Sequence, residues 1–358
     1  MTAASIPLLS PQDAVSRTVY SAVWPETEDL VRTCLTQETE AMLARHRHAH
    51  SKHQDTLHEA FFDAWTAYAA PTVTIDRDQF PHHYPVAGSS EAIREIIRSA
   101  LWKQQDLVIF DGDYEGYEAI ASMQGTTVHR VDRRHWRQTM NEWAEKGTPW
   151  GNAGRRAQWW ISQPSSLDGN VWSDFSEWLA LTGMWPRDLD VWVDLCYLGV
   201  TTRAFEMALD EKSVAGVVFS LSKTMGAYYR RIGGCFARDE QPGLWGNAWF
   251  KNLDSLYLGT RWLTDPTFQG LAWHATLRER QKTAFAWAMA AHGSEFDAAG
   301  VQWGASDVAL LMYAHDPRMT PTLSEPAARW WAASSRGEGP ASRRLCLTPS
   351  LDMTHVAP

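Results

Sequence analysis

The middle of the chain alternates short apolar runs with amphipathic stretches. The apolar runs are rich in β-branched and aromatic residues and predict buried strands. They lie at residues 107–110, 127–131, 158–162, 191–195 and 214–219. Residues 114–124 and 173–181, between these runs, have the spacing of helices. Short apolar strands separated by helices are typical of a doubly wound, mostly parallel sheet covered on both faces, so the sequence predicts an α/β fold.

Helical patterns flank this central part of the chain. Apolar residues recur at near-helical spacing between residues 26 and 68, and residues 266–292 predict one long helix. A small α+β piece follows, with a strand at 308–313, a helix at 325–334 and a strand at 344–347. We therefore expect three parts: an N-terminal helical segment at 1–70, a large domain at 71–245, and a linker helix with a small C-terminal domain at 246–358.

The composition narrows the class of protein. The 358 residues carry a formal net charge of -9, which argues against a nucleic acid or an anionic membrane as partner. No apolar run approaches the roughly 20 residues that span a bilayer, and residues 1–13 lack a basic start followed by an apolar core. The four cysteines show no Cys-x-x-Cys spacing, which fits a reducing compartment. We therefore expect a cytoplasmic protein.

Histidines cluster near the N-terminus, at His46, His48, His50, His53 and His58. His46 and His50 have the i,i+4 spacing that can hold a metal on one face of a helix. No carboxylate or cysteine lies at matching spacing, and ligand histidines normally come with oriented partners. We therefore predict a solvated helix face and no metal site.

Tryptophan is unusually frequent, with 20 residues in the chain. Packing in the core and at a subunit interface is the favoured interpretation. An aromatic-lined substrate pocket is the alternative, although no pattern selects the residues that would line it.

The strand predicted at 214–219 is followed by residues that could take part in catalysis. It is followed by Ser220, Ser222 and Lys223, and Arg231 comes eight residues after the lysine. Hydroxyl groups and a guanidinium group near a lysine indicate an anion site beside an amine nucleophile. The alternative is a turn with a solvated lysine.

A second anion-binding pattern precedes the strands. Gly88, Ser89 and Ser90 lead into a predicted helix, and the free N–H groups at a helix start bind phosphate well. The alternative is that the serines are simple helix caps.

Further polar groups follow the other predicted strands. Tyr114, the stretch 163–166, Asp194 and Tyr197 lie at carboxyl ends. Ligands of open parallel sheets bind outside the carboxyl ends of the strands. We therefore expect these groups to lie at one site with Lys223.

Taken in order, these segments resemble fold-type-I pyridoxal-phosphate (PLP) enzymes of the class I/II aminotransferase group. The resemblance is carried by Ser220-Leu221-Ser222-Lys223 with Arg231, and by Asp194-x-x-Tyr197, which begins 29 residues before the lysine. It covers residues 84–237 well and the C-terminal piece more loosely. It implies an aspartate aminotransferase fold and a homodimer with shared sites.

The resemblance also implies roles for these residues. Lys223 would form a Schiff base with PLP and then act as general acid and base, which requires its pKa to be lowered by burial and nearby cations. Asp194 would face the pyridinium nitrogen, Tyr197 would bond to the ring oxygen, and Tyr114 would stack on the ring. The alternatives are that Asp194 caps a turn, that Tyr197 belongs to the core, and that Tyr114 stacks on protein. The phosphate group would be held by Gly88, Ser89, Ser90, Ser220, Ser222 and Arg231.

The substrate side of the resemblance is weaker. Arg344 would bind the α-carboxylate of the substrate, although a surface ion pair is the alternative and Arg343 is not excluded. The usual Asn-Pro-x-Gly run is replaced by 163–169, and the shorter Ser166 falls where the asparagine would lie at the cofactor. We expect an aminotransferase that acts on an amino acid. The alternatives are a PLP-dependent lyase, replacement or C–C bond-forming enzyme, and a non-catalytic PLP-binding protein.

Overall fold

The computed structural model describes residues 21–48, 54–185, 187–246, 252–315, 323–325, 327–328, 342–348 and 351. It begins with three helices, α1 (Pro25–Gln37), α2 (Thr39–His48) and α3 (Gln54–Ala69). Helix α1 starts with Pro25, whose missing N–H would have no partner within a helix at this position. The helices predicted between residues 26 and 68 are therefore confirmed within the described part.

A seven-stranded sheet forms the centre of the molecule. Its strands are β1 (His82–Val86), β2 (Gln105–Phe110), β3 (Val128–Val131), β4 (Arg156–Ser162), β5 (Leu189–Asp194), β6 (Val214–Ser220) and β7 (Gly233–Ala237). The spatial order is β1-β7-β6-β5-β4-β2-β3. Neighbouring strands from β6 to β3 pair in parallel, whereas β7 is antiparallel to both β6 and β1. The predicted α/β fold with a mostly parallel sheet is confirmed.

Strand β1 was missed by the sequence analysis. It contains Pro85, which cannot donate a hydrogen bond to a neighbouring strand. The structure accommodates the proline because β1 lies at the edge of the sheet and pairs with β7 alone. Residues 82–84 are His, His and Tyr, so no apolar run marked this strand.

Helices pack on both faces of the sheet. They are α4 (Ser89–Trp102), α5 (Glu115–Met123), α6 (Trp136–Lys146), α7 (Pro149–Asn152), α8 (Phe175–Thr182), α9 (Leu221–Thr224) and α10 (Pro242–Trp245). Successive residues of a strand face opposite ways. Trp159 therefore belongs to the core cluster shared with the N-terminal helices, while Trp160 belongs to the cluster under α4 and α5.

The tryptophans mainly fill these cores. Ten of those in the described residues are at most 3% exposed: Trp24, Trp65, Trp136, Trp150, Trp159, Trp160, Trp178, Trp192, Trp262 and Trp273. The predicted core packing is confirmed for this group. Trp102 and Trp245 are exposed instead.

The C-terminal part contains α11 (Leu253–Thr264), α12 (Gly270–Ala288) and α13 (Ser294–Ala298). An antiparallel sheet follows, formed by β8 (Gln302–Ala305), β9 (Leu311–His315) and β10 (Ser342–Cys346) in the order β10-β9-β8. The helix predicted at 266–292 is shorter, because a 3-10 turn precedes it and a π-helical turn, Met289–Gly293, follows it. The helix predicted at 325–334 lies mostly outside the described residues, and the division into three parts stays a prediction.

The histidine cluster lies partly outside the described residues, which exclude His50 and His53. His46 Nε2 lies 3.1 Å from Asp254 Oδ1. Within the described ranges, no three His, Cys, Asp or Glu side chains are grouped so that they could hold a metal ion. In the same ranges, no helix is both long and apolar enough to cross a membrane.

Candidate active site

The candidate site lies where the parallel strands end. Ser162, the last residue of β4, pairs with Asp194, the last residue of β5. Strand β6 ends beside them at Ser220, three residues before Lys223. Because the carboxyl ends of parallel strands meet at one edge, the predicted polar residues converge there.

Lys223 lies on the very short helix α9, directly after β6. Ser220 caps this helix, and its Oγ accepts a hydrogen bond from the backbone N–H of Ser222 at 3.2 Å. A helix of four residues is not stable by itself, since nucleation is unfavourable. Other parts of the chain must therefore hold Lys223 in place.

The N-terminal segment supplies this support. The Ser21 hydroxyl donates to the carbonyl of residue 222 at 2.6 Å, the Trp24 indole to that of residue 224 at 3.2 Å, and the Thr27 hydroxyl to that of residue 225 at 2.6 Å. The carbonyl groups at a helix end have no partner within the helix. These three side chains provide partners for them, so residues about 200 positions away in sequence fix the lysine segment.

Acidic groups surround the amino group of Lys223. Its Nζ donates to Cys196 Sγ at 3.4 Å and lies 4.5 Å from the centroid of the Tyr197 ring. Burial alone would lower the pKa of Lys223, but the acidic groups of Cys196, Tyr197, Asp194 and Tyr114 outweigh it, and the net pKa shift is upward. The net pKa shift is thus opposite to the lowering by burial and nearby cations that was expected from the sequence.

Asp194 is buried beneath this amino group. Its Oδ1 accepts from the backbone N–H of Cys196 at 2.9 Å, and its Oδ2 accepts from the hydroxyl of Tyr117 at 3.1 Å. Burial raises the pKa of Asp194, while the positive charge of Lys223 opposes the shift. The carboxylate is therefore fixed in orientation and has further acceptor capacity for a donor entering the site.

Tyr114 lies close to the same groups. Its backbone N–H donates to Asp113 Oδ1 at 2.7 Å, and its ring packs edge-to-face against Tyr117 with the centroids 5.2 Å apart. A Cβ at Gly116 would come within 2.3 Å of the Tyr114 ring, so glycine leaves the space that this ring occupies. The structure thus brings Tyr114 together with Asp194, Tyr197 and Lys223.

The predicted phosphate-binding residues also form one group. Arg231 Nη2 donates to Ser90 Oγ at 2.9 Å, and Arg231 Nη1 donates to Ser222 Oγ at 3.3 Å. Helix α4 begins at Ser89. At Gly88 a Cβ would lie 2.8 Å from Arg231 Nη2 and 3.4 Å from Ser220 Oγ. A guanidinium group, hydroxyls and the start of helix α4 therefore line one small cradle, which fits a phosphate group.

Arg344 lies at the other side of this edge and is almost completely buried. Its Nη2 donates to Glu115 Oε2 at 2.7 Å, and its Nη1 donates to the carbonyl oxygen of Ser166. The ion pair considered from the sequence exists, but it is not on the surface. The backbone N–H of Ser166 donates to Ser162 Oγ at 2.5 Å. The side chain of Arg343 lies outside the described part.

Several residues of the site had no role assigned from the sequence. Asp113 is buried, accepts from Ser162 Oγ at 2.7 Å, and has its pKa raised to about 6 mainly by burial. Burial raises the pKa of the Cys196 thiol to about 12, so it is protonated at neutral pH. Tyr117 follows Tyr114 by three residues, a spacing that puts both on one helix face and was an available signal. No local pattern pointed to Glu115.

Comparison with known proteins agrees with this geometry. The sequence model of the family named Aminotransferase class I and II matches residues 29–282, which is well over half of the chain. The chain belongs to this family. It is a fold-type-I PLP-dependent enzyme of the transferase-like kind. A search of curated proteins with this sequence found no match.

Solved structures of the same fold come from bacteria. An aminotransferase from Eubacterium rectale has a TM-score of 0.60 at 14% identity, covering 95% of this chain and 89% of its own. A mutant of Thermus thermophilus aspartate aminotransferase has a TM-score of 0.58 at 13% identity, with coverages of 82% and 79%. A PLP-bound C-S lyase from Staphylococcus hominis, complexed with L-cycloserine, has a TM-score of 0.58 at 11% identity, with coverages of 82% and 76%. These likenesses show the fold.

Proposed function

We propose that this class I/II family member is a PLP-dependent aminotransferase that acts on an amino acid through Lys223. The observation that carries the proposal is that Lys223 Nζ lies near Asp194 and Tyr197. The cradle of Ser220, Ser222 and Arg231 adjoins the strand that leads into Lys223.

Each residue has a task in this proposal. The cradle would hold the phosphate group of PLP, whose ring supplies an electron sink for chemistry at the substrate Cα. The Asp194 carboxylate would accept a hydrogen bond from the protonated ring nitrogen, and the Tyr197 hydroxyl would bond to the ring oxygen. Tyr114 would cover one face of the ring and exclude water. Arg344 would bind the substrate carboxylate.

Lys223 would carry the proton during the reaction. Its Nζ is the base that accepts the proton from the substrate Cα and the acid that returns it to a neighbouring atom. The hydrogen bonds from Ser21, Trp24 and Thr27 to the lysine segment keep this amine in position. Such positioning is worth much in catalysis, because small displacements of a reacting group lower the rate strongly.

Absorbance spectroscopy tests the proposal. We expect a visible band for the purified protein with PLP, and we expect Lys223→Ala to abolish it. One amino acid donor alone should bleach the band of the wild type, because an aminotransferase keeps the amino group. A Lys223→Ala protein that stays yellow after borohydride treatment and dialysis would contradict the assignment.

A lyase is the second candidate function. Ser166 in place of the expected asparagine favours it, since that residue would orient the substrate at the cofactor, and one solved structure with this fold is a C-S lyase. A lyase would release a fragment of the substrate, and the visible band would return. A non-catalytic PLP-binding protein would show a band that no amino acid changes.

We also propose the assembly and location of the enzyme. The resemblance to homodimeric relatives supports a homodimer with shared sites, which light scattering tests, and a fully active monomer would contradict it. The four cysteines are buried thiols that form no disulfide within the described residues, which supports a reducing, cytoplasmic location.

A further inference from the structure

The arginine proposed to bind the substrate carboxylate already binds a carboxylate of this chain. Arg344 Nη2 donates to Glu115 Oε2 at 2.7 Å. The Arg344 side chain is 8% exposed, whereas that of Glu115 is 33% exposed. The glutamate can therefore swing toward solvent, and the arginine is held in the wall of the site by the Ser166 carbonyl oxygen.

A further carboxylate lies near this pair. Asp113, two residues before Glu115, is buried close enough to feel the charge of Arg344. A second guanidinium group at the 163–169 loop is that of Arg133, which is paired with Asp168 and donates to Ser165 Oγ at 2.7 Å. A ligand carboxylate that takes the Nη2 hydrogen bond of Arg344 displaces Glu115 and then lies beside it.

We propose that Glu115 determines substrate specificity by competing with the substrate carboxylate for Arg344 and by disfavouring a second carboxylate. The preferred substrates are therefore amino acids with one carboxylate and a neutral or cationic side chain. The identity of the ligand as an amino acid rests on the proposed function. The competition itself rests on the contact between Glu115 and Arg344.

The physical reason for the selectivity is charge. A monocarboxylate replaces Glu115 on Arg344 and leaves the displaced Glu115 carboxylate nearby. A dicarboxylate adds a further negative charge beside displaced Glu115 and buried Asp113, and like charges at close range repel. The carboxylate of Glu115 therefore selects against dicarboxylate substrates.

Calorimetry on the enzyme with PLP tests this, with propionate and succinate as probes. For Glu115→Gln we expect a lower Kd for propionate by about three- to fivefold, the scale of a partly exposed ion pair, and a larger decrease for succinate. Glu118→Gln is the matched control, because Glu118 lies on the same helix but pairs with the exposed Arg130. The control should leave both Kd values unchanged.

Other outcomes would overturn the inference. An unchanged or higher Kd in Glu115→Gln would mean that the glutamate supports Arg344 instead of competing with it. An equal decrease in Kd for Glu118→Gln would mean that the change in overall charge, and not the loss of the contact with Arg344, causes the effect. Glu115→Asp keeps the charge and should keep the preference for propionate over succinate, even where Glu115→Gln fails to fold. If the wild type shows no visible band with PLP, the proposed function fails, while the calorimetric comparison still decides the competition.

Discussion

Gly88 offers the sharpest test of the phosphate cradle. Its backbone has φ +79° and ψ 160°, a region that is essentially restricted to glycine and costs other residues about 1–3 kcal/mol. A Cβ at this position would also lie 2.8 Å from Arg231 Nη2, closer than such atoms approach each other. Gly88→Ala therefore strains the backbone and pushes the guanidinium group away from Ser90 and Ser222.

Two measurements separate these effects. Urea unfolding should show a loss of about 1–3 kcal/mol in the free energy of unfolding. The Kd for PLP should rise by at least about tenfold, because roughly 1.4 kcal/mol of binding free energy corresponds to a factor of ten and a displaced charge-assisted hydrogen bond contributes about 1.5–3 kcal/mol.

Gly125→Ala is the matched control. Gly125 also has a positive φ, +73°, but no atom lies within 4 Å of a Cβ built on it. The control should lose stability through its backbone and keep the wild-type Kd for PLP. If Gly88→Ala binds PLP as tightly as the wild type, the cradle does not hold the phosphate group and the reasoning fails.

Three further predictions concern buried polar groups. Asp113 has a folded-state pKa raised to about 6, so its contribution to stability is fully present below the unfolded pKa near 4 and is lost as the pH rises through 6. The free energy of unfolding should therefore fall by up to about 3 kcal/mol over this pH range. The Asp113→Asn variant should not show this fall. Thr27→Val should lower the free energy of unfolding by about 1 kcal/mol and slow the reaction of Lys223 with PLP, measured by stopped-flow absorbance. If both values are unchanged, the N-terminal segment does not hold Lys223 in place. Asp194→Asn should lower the pKa of Lys223, since it removes a neighbouring negative charge, and the pH dependence of lysine methylation measures this.

The apolar strands of the sheet were predictable from local sequence, because buried parallel strands must be apolar on both faces. Helix α11 was not recognised. It contains Gly259 in its interior, and a Cβ there would lie 2.8 Å from Phe61. Glycine weakens a helix on its own, so tertiary packing against α3 stabilises this segment, and no window of sequence contains that information.

The candidate site likewise contains residues that could be predicted from the sequence and contacts that could not. Residues that follow strands, such as Asp194 and Lys223, could be predicted to meet, because parallel strands end at one edge. The ion pair of Arg344 with Glu115 joins residues 229 positions apart. Such a contact depends on how the C-terminal sheet packs against α5, which sequence periodicity does not specify.

The charge balance around Lys223 links these observations. Buried Asp194 and its neighbours raise the pKa of the Lys223 amine, and a protonated amine is not a nucleophile. A proton on the ring nitrogen beside Asp194 would offset the carboxylate charge, and the pKa of Lys223 would then fall. In the proposed function, the carboxylate that would orient the ring would therefore also affect the reactivity of the lysine.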